Sequence, residues 1–390
     1  MVNVDRARAR HGAVGEYWVA SMWQGDELAD AVVDTSFAGS SATAAVRTAL
    51  ERGIDAVDDA PESLRALFAF LDDEPDWVDH DRLDRAADAL IRHTAAFGIV
   101  LGAASLLRGA GNSIAGKPLV LTGRYASMPA IRSVEVGEWL RQVITPGGMR
   151  RDGGGFAYTV RVRLIHAHVR RGMYRLGTWD ETAWGVPIPQ PYMAFTMAEF
   201  GHIALDAMHT LGVRFSEDDL DAIYHLWRYV GHVIGMDDRL NPRDAADHIR
   251  IEELYRLTSP GPDEHDREFV FALTDDYLVP ELANVLAGPA TMRHAVASTV
   301  MHGLQRVFLG DDDADALHIP DTRLKHVIRA AGPMMAAAGR ARMVVGGGRE
   351  RLSRRGYRSR DVEMTRMRTA YGVTHQLVDN APAVPQRQPS

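Results

Sequence analysis

Val160–Arg171 reads V-R-V-R-L-I-H-A-H-V-R-R. On an α-helix, Arg163, His166, Ala167 and Arg170 fall at i, i+3, i+4 and i+7 and form one stripe. A histidine with an arginine one turn away on each side is unusual on an interior stripe. Buried guanidinium groups need anionic partners, because unpaired buried charge is costly. Two readings meet that need. In the first, the arginines reach solvent or pair with aspartate or glutamate, and His166 is a satisfied core histidine. In the second, the anions are the propionates of a b-type haem, and His166 gives a neutral imidazole to its iron. Spacing alone favours the first. His168 points elsewhere on the same helix.

Outward from this segment the signals are almost all helical. Asp152-Gly153-Gly154-Gly155 reads as a loop, followed by a helix over 157–176. Upstream, helices are expected at 43–52, from Pro61-Glu62-Ser63 with Leu64, Leu67, Phe68 and Leu71 inward, over 81–107, and over 137–145. The 81–107 helix should break near Gly98 or Gly102. Downstream, the prolines of Gly185–Pro191 force an extended loop. Helices follow over 195–211, from an N-cap at Ser216 to about Ile234, and over 247–257, 267–286, 292–309 and 322–338. No long run of β-branched alternation occurs. The fold class is therefore all-α, a single large helical domain. The expected divisions are a flexible N-terminal segment (1–20), the main domain (21–345), and a basic C-terminal extension with a disordered tail (346–390).

Composition narrows the chemistry. The 390-residue chain has 44 Lys+Arg against 52 Asp+Glu, a net charge of −8, which argues against general nucleic-acid binding. It has no cysteine, which removes disulfides, thiolate zinc sites, iron–sulfur clusters and thiolate-ligated haem. With 16 histidines, any transition metal would rest on His, carboxylate or a porphyrin plus His. The N-terminus has charge but no apolar h-region, and the longest apolar run, 94–107, is too short to span a bilayer. A cytoplasmic protein without a transmembrane segment is expected.

Other candidate sites are weaker. Glu199-Phe200-Gly201-His202 is one Glu-x-x-His pair, half of a di-iron bundle signature, with no second pair. His225 and His232 share a helix face without a third ligand. Asp311–Asp315 resembles a calcium loop only in charge and reads as a solvated loop. Gly153–Gly155 could hold a phosphate, but no Gly-Lys-Ser/Thr follows; Gly346–Gly348 is equally weak. Arg349, Arg351, Arg354, Arg355, Arg358 and Arg360 form a local basic patch on what reads as a solvated helix.

Several segments in order and spacing resemble the MpaB-type oxygenase family, which includes the latex-clearing protein (rubber oxygenase). They are Gly25–Val33 (GDELADAVV), Pro75–Asp79 (PDWVD), Lys117–Arg124 (KPLVLTGR), Thr145–Gly148 (TPGG), Val162–Arg170 (VRLIHAHVR), Trp184–Gln190 (WGVPIPQ) and His225–Gly231 (HLWRYVG). The resemblance implies an all-α fold with a globin-like core and a haem b cofactor. His166 corresponds to the proximal iron ligand, and Arg132 to a distal arginine that acts in catalysis. Arg163 and Arg170 would hold propionates or lock the ligand helix. The expected activity is a haem-dependent oxygenase or dioxygenase that uses O2 on an apolar isoprenoid, lipid or natural-product substrate, by oxidative cleavage of C=C. On the distal side the chain departs from the rubber-oxygenase pattern. Glu135 and Val136 stand where that group has Lys-Thr, and its distal acid has no clear match near Gly116–Lys117. The alternatives are a non-haem (di-)iron oxidase built on Glu199 and His202, and a non-catalytic haem- or lipid-binding helical protein.

Overall fold

Polar caps set where many helices begin. Asp79, Ser216, Asp244 and Asp263 each accept hydrogen bonds from backbone N–H groups of the first turn that follows. Ser216 does so as its sequence context predicts, with three acidic residues in the next turn. The structure is a computed structural model and describes residues 1–34, 40–121, 129–344 and 348–373.

In chain order the main helices are α1 (Val4–Ala20), α2 (Glu27–Asp34), α3 (Ser40–Arg52), α4 (Glu62–Asp72) and α5 (His80–Ile91). Next comes α6 (Thr94–Gly109), which contains a π-helical turn at Leu101–Ser105. It leads to α7 (Ser113–Leu121), α8 (Pro129–Val143) and α9 (Gly154–Leu176). Helix α10 joins Gln190–Ala198, a π-turn at Glu199–Ile203, and Ala204–Thr210. Then follow α11 (Glu217–Val233) and α12 (Ala245–Thr258). Helix α13 joins Glu264–Leu273, a π-turn at Thr274–Leu278, and Val279–Asn284. The series ends with α14 (Ala290–Leu309), α15 (Leu324–Val344) and α16 (Gly348–Ala370). Among the described residues there is no strand, so the all-α expectation holds.

The main core gathers Trp18, Phe68, Phe156 and Trp227, with the expected Leu64, Leu67 and Leu71 of α4 turned into it. Across α5 and α11, Asp219 is buried and accepts from Arg85 (3.0 Å) and Arg92 (2.8 Å). A second apolar cluster joins α6 to α13 and α14 through Leu107, Leu273 and Met301.

Several expectations are corrected. The 81–107 helix divides at Arg92–His93, not at a glycine, and its halves meet at 84°. Arg92 closes α5, and its side chain is held by Asp88 and Asp219. Gly102 serves close packing instead, since a Cβ there would lie 2.7 Å from Leu278 Cδ2. The first 20 residues are not a frayed segment. Helix α1 buries Trp18, whose indole donates to Thr258 Oγ1 at 3.1 Å. Asp311–Ala316 is a short helix, not a loop, and its acids pair with Arg306, Lys325 and Arg108. The basic extension is part of the fold: α16 seats Gly356 so tightly that a Cβ would fall 2.0 Å from Ile91 O. The tail after about 375 and Gly346–Gly347 lie outside the described residues. Among those described, no single helix is long and apolar enough to cross a membrane, although α5 and α6 together pass that test as a bent pair.

Candidate functional site around His166

Helix α9 enters through glycine backbone. A Cβ at Gly155 would lie 2.8 Å from Val143 Cα, and one at Gly153 would lie 2.3 Å from Gly148 O. The glycine run thus lets α8 and α9 approach closely. Carbonyl oxygens of Gln142 and Gly148 crowd the space where side chains would stand on Gly153 and Gly155. One turn on, Thr159 Oγ1 accepts from Trp139 Nε1 at 3.0 Å and ties α9 to α8. Trp139, Phe200 and Trp227 then cluster from α8, α10 and α11, with Phe200 stacked on Trp227 and Trp139 edge-on to Phe200.

Both arginines of the stripe find carboxylates on α2 or just before it. Arg163 donates from Nε to Asp26 Oδ2 (2.6 Å) and from Nη2 to Asp26 Oδ1 (2.9 Å), while Nη1 reaches Val233 O (3.3 Å). Arg170 donates from Nε to Asp30 at 2.8 Å. Burial pushes the Asp30 carboxyl up, against the pull of Arg170. The Arg170 Nη2 atom is buried and has no hydrogen-bond partner.

The loop at 184–190 braces this pair. Gln190 donates from Nε2 to Gly25 O (2.8 Å) and Gly235 O (3.0 Å), and its Oε1 accepts from Asp237 N (2.8 Å). Val186 N and Gln190 N bond to Met22 O and Gln24 O. One side chain therefore holds three chain segments together beneath α9. Asp26, Asp30 and Gln190 had no assigned role from sequence. The usable signal was the carboxylate spacing i, i+4 opposite arginines at i, i+7.

His166 sits midway along α9, half-buried. Its Nδ1 is buried without a hydrogen-bond partner. Burial first, then the charges of Arg170 and Arg132, push the ring down to about 4, so it is neutral at pH 7. Arg132, on α8, is therefore within electrostatic reach of His166. It also forms an ion pair with the buried Glu135, Nη1 to Oε2 at 2.7 Å.

The remaining candidates separate. Glu199 and His202 do not converge, because the i, i+3 rule assumes α-helical geometry. Here the pair spans a π-turn, with Gly201 at φ −92° and ψ −105°. Glu199 abuts Gly109 and bonds with Thr196, while His202 faces Glu252 at 3.9 Å. Burial raises the Glu199 carboxyl to about 8. Among the described residues no three His, Asp or Glu side chains converge as a metal site. His225 Nε2 accepts from Asp79 N at 3.0 Å, and His232 stacks on Phe70, so both are packed into the core.

Comparison with known proteins bears on the family and the fold. Residues 91–341 match the family model described as "ER-bound oxygenase mpaB/B'/Rubber oxygenase, catalytic domain". The chain is 26% identical over 290 residues to a rubber oxygenase of Streptomyces sp. (strain K30), covering 71% of this chain and 66% of that protein. The match thus spans just under two thirds of that relative's length. The fold is similar to that of latex clearing protein LCP in the closed state, with a TM-score of 0.63 and 19% identity, over 85% of this chain and 88% of that one. With the family model covering well over half of its length, the chain belongs to the family of mpaB/B' and rubber oxygenase catalytic domains.

Proposed function

We propose that this protein is a haem b-dependent oxygenase acting with O2 on an apolar isoprenoid, lipid or natural-product substrate, with oxidative cleavage of C=C as its reaction. The observation that carries the reading is His166: a half-buried imidazole, neutral at pH 7, whose inaccessible Nδ1 is unused by the protein. An iron ligand requires a neutral imidazole with one ring nitrogen free of protein hydrogen bonds, and Nδ1 of His166 is free in that sense. The donor set is consistent with this, since the chain has no cysteine to compete for the iron.

The residues divide the work. His166 would ligate the iron. Arg163 uses Nε, Nη1 and Nη2 within the protein, so its role is to lock α9 against Asp26 and Val233. Arg170 is held by Asp30 but keeps Nη2 unused, and that donor suits a haem propionate. Arg132, on α8, places a cation whose charge His166 feels. A fixed cation in a dry site stabilises negative charge that develops during oxygen chemistry. Bound haem supplies the iron at which O2 is activated. Apolar residues of α6 and α10 keep water from the alkene.

The test is an absorption spectrum of protein purified from haem-supplemented cells, before and after dithionite and CO. A Soret band that shifts with CO, near one haem per chain, is expected, and His166→Ala should lose it. A normal haem spectrum in His166→Ala would remove the ligand assignment. No haem in the parent protein, with iron present, would favour a non-haem centre.

A further inference from the structure

Helices α15 and α16 present an unusual surface. Their inner faces are anchored. A Cβ at Gly332 would lie 2.8 Å from Thr210 O, and Ala336 is buried. On α16, Ser353, Gly356 and Met364 face inward, and Arg360 Nη1 donates to Arg141 O at 3.2 Å. These are docked helices with a defined outer side.

The outer side of α16 carries Arg351, Arg354, Arg355 and Arg358, all exposed. Their spacing is i, i+3, i+4, i+7, one stripe, and it continues to Val362, 65% exposed. Among the described residues none of the four has an ion-pair or hydrogen-bond partner. In contrast, Arg366 and Arg360 on the same helix pair with Glu281 and Asp361. Like charges at this spacing destabilise a helix, and among the described residues no carboxylate is in ion-pair contact with the four, although Glu350 and Asp361 lie within one turn of Arg354 and Arg358. The whole chain has a net charge of −8, so this row opposes the sign of the molecule. The preceding helix, α15, exposes Val327 (61%), Met334 (73%) and Met335 (51%), with Arg323 and Arg329 also exposed beside them. Val327 and Met334 are seven residues apart and share one face.

We propose that the outer faces of α15 and α16 dock on an anionic lipid surface. The arginines would meet phosphate and carboxylate headgroups, and the valines and methionines would enter the headgroup–acyl boundary. Exposed apolar side chains beside uncompensated arginines fit a bilayer surface better than a nucleic acid. No exposed aromatic ring interleaves with the arginines to stack on bases, and Tyr357 is half-buried beneath Arg360. The inference stands on this surface alone and is independent of haem binding. It would place the protein where apolar substrates accumulate.

The test uses the full chain and flotation with vesicles of phosphatidylcholine alone or mixed with phosphatidylserine. Binding to the mixed vesicles only, weakened by salt, is expected. Arg354→Gln/Arg355→Gln should lower the partition coefficient about 30-fold. Because the chain has no cysteine, Met334→Cys gives one labelling site for a polarity-sensitive fluorophore. Its emission should shift to the blue on mixed vesicles. Failure to float, equal binding to both vesicle types, or an unshifted label would each overturn the proposal. Displacement from vesicles by a homopolymeric RNA would overturn it in favour of a nucleic-acid surface.

Discussion

Asp26 and Arg163 meet as a two-point ion pair inside the protein, at 2.6 and 2.9 Å, with 4% and 2% of their side chains accessible. The pair joins the start of α2 to the middle of α9, one turn before His166. Two charges removed from water gain little net stability, but each becomes costly once its partner is gone. Arg163→Met alone should therefore lower stability by about 3–5 kcal/mol. Asp26→Leu/Arg163→Met together should cost far less than the sum of the single changes. Urea denaturation of the four proteins of this cycle checks it, and additive losses would refute the coupling.

Gly235 should be as sensitive as the pair itself. It has φ +88°, and a Cβ there would fall 2.3 Å from Asp26 Oδ2 and 2.5 Å from Arg163 Nε. Gly235→Ala adds backbone strain and drives the carboxylate off the guanidinium. A loss of about 3 kcal/mol or more is expected. Gly177→Ala is the control, since its φ of +66° is similar but no atom lies within 4 Å of the added Cβ. It should cost only the backbone strain, about 1–2 kcal/mol. Equal losses in the two variants would show that the pair is not what Gly235 protects.

Much of this was legible in the sequence because it is local. Helical periodicity located the α9 stripe, and a polar N-cap located the start of α11. The fold's irregularities depend on partners far along the chain, so periodicity misses them. The turn at Arg92–His93 answers to Asp219, 127 residues away. The order of α1 answers to Thr258, 240 residues from Trp18. Likewise, Glu-x-x-His at Glu199 and His202 suggested two ligands on one face until the π-turn separated them. The clamp made by Gln190 has no sequence signature, because its three partners are backbone atoms.

Glu199 gives a stability prediction with a definite sign. Its native carboxyl titrates near 8 because of burial, against about 4.5 when unfolded. Between those values the unfolded chain releases a proton that the native protein keeps, so the native state is penalised as pH rises. Glu199→Gln removes the titration. It should stabilise by roughly 1–3 kcal/mol at pH 7.5 and little at pH 5. Thermal unfolding at both values measures it, and a gain larger at pH 5 would contradict the assignment.

Buried histidines produce the opposite slope. Burial lowers His93, His166 and His225 to about 4 and His248 to about 3, from about 6.5 in the unfolded chain. Above pH 6.5 they carry no charge in either state. As pH falls from 6.5 towards 4, the unfolded chain takes up protons that the native protein refuses, and stability drops. The urea midpoint should decline steeply over this interval. A flat profile there would mean that these rings are charged in the native protein or solvated.

Arg132 decides between a structural and a chemical role on the side of His166 that α8 provides. It is ion-paired with Glu135, three residues on, and 28% of its side chain is accessible. With the guanidinium part-exposed and the carboxylate buried, the pair contributes about 1–2 kcal/mol. If pairing were its purpose, Arg132→Ala and Glu135→Gln would act alike, with a small loss of stability and little else. If its charge serves the oxygen chemistry, the two variants diverge. Arg132→Ala should retain the fold and the haem spectrum but lose about 10²–10³-fold in turnover, the scale seen when one charge-stabilising donor is removed. Glu135→Gln frees the guanidinium from its partner and should keep turnover or raise it. Arg132→Lys should recover part of the loss, since it restores charge without the planar fork. The readout is O2 consumption with isoprenoid alkenes, normalised to bound haem. Equal turnover in Arg132→Ala and the parent protein would remove Arg132 from the mechanism while leaving His166 as the ligand.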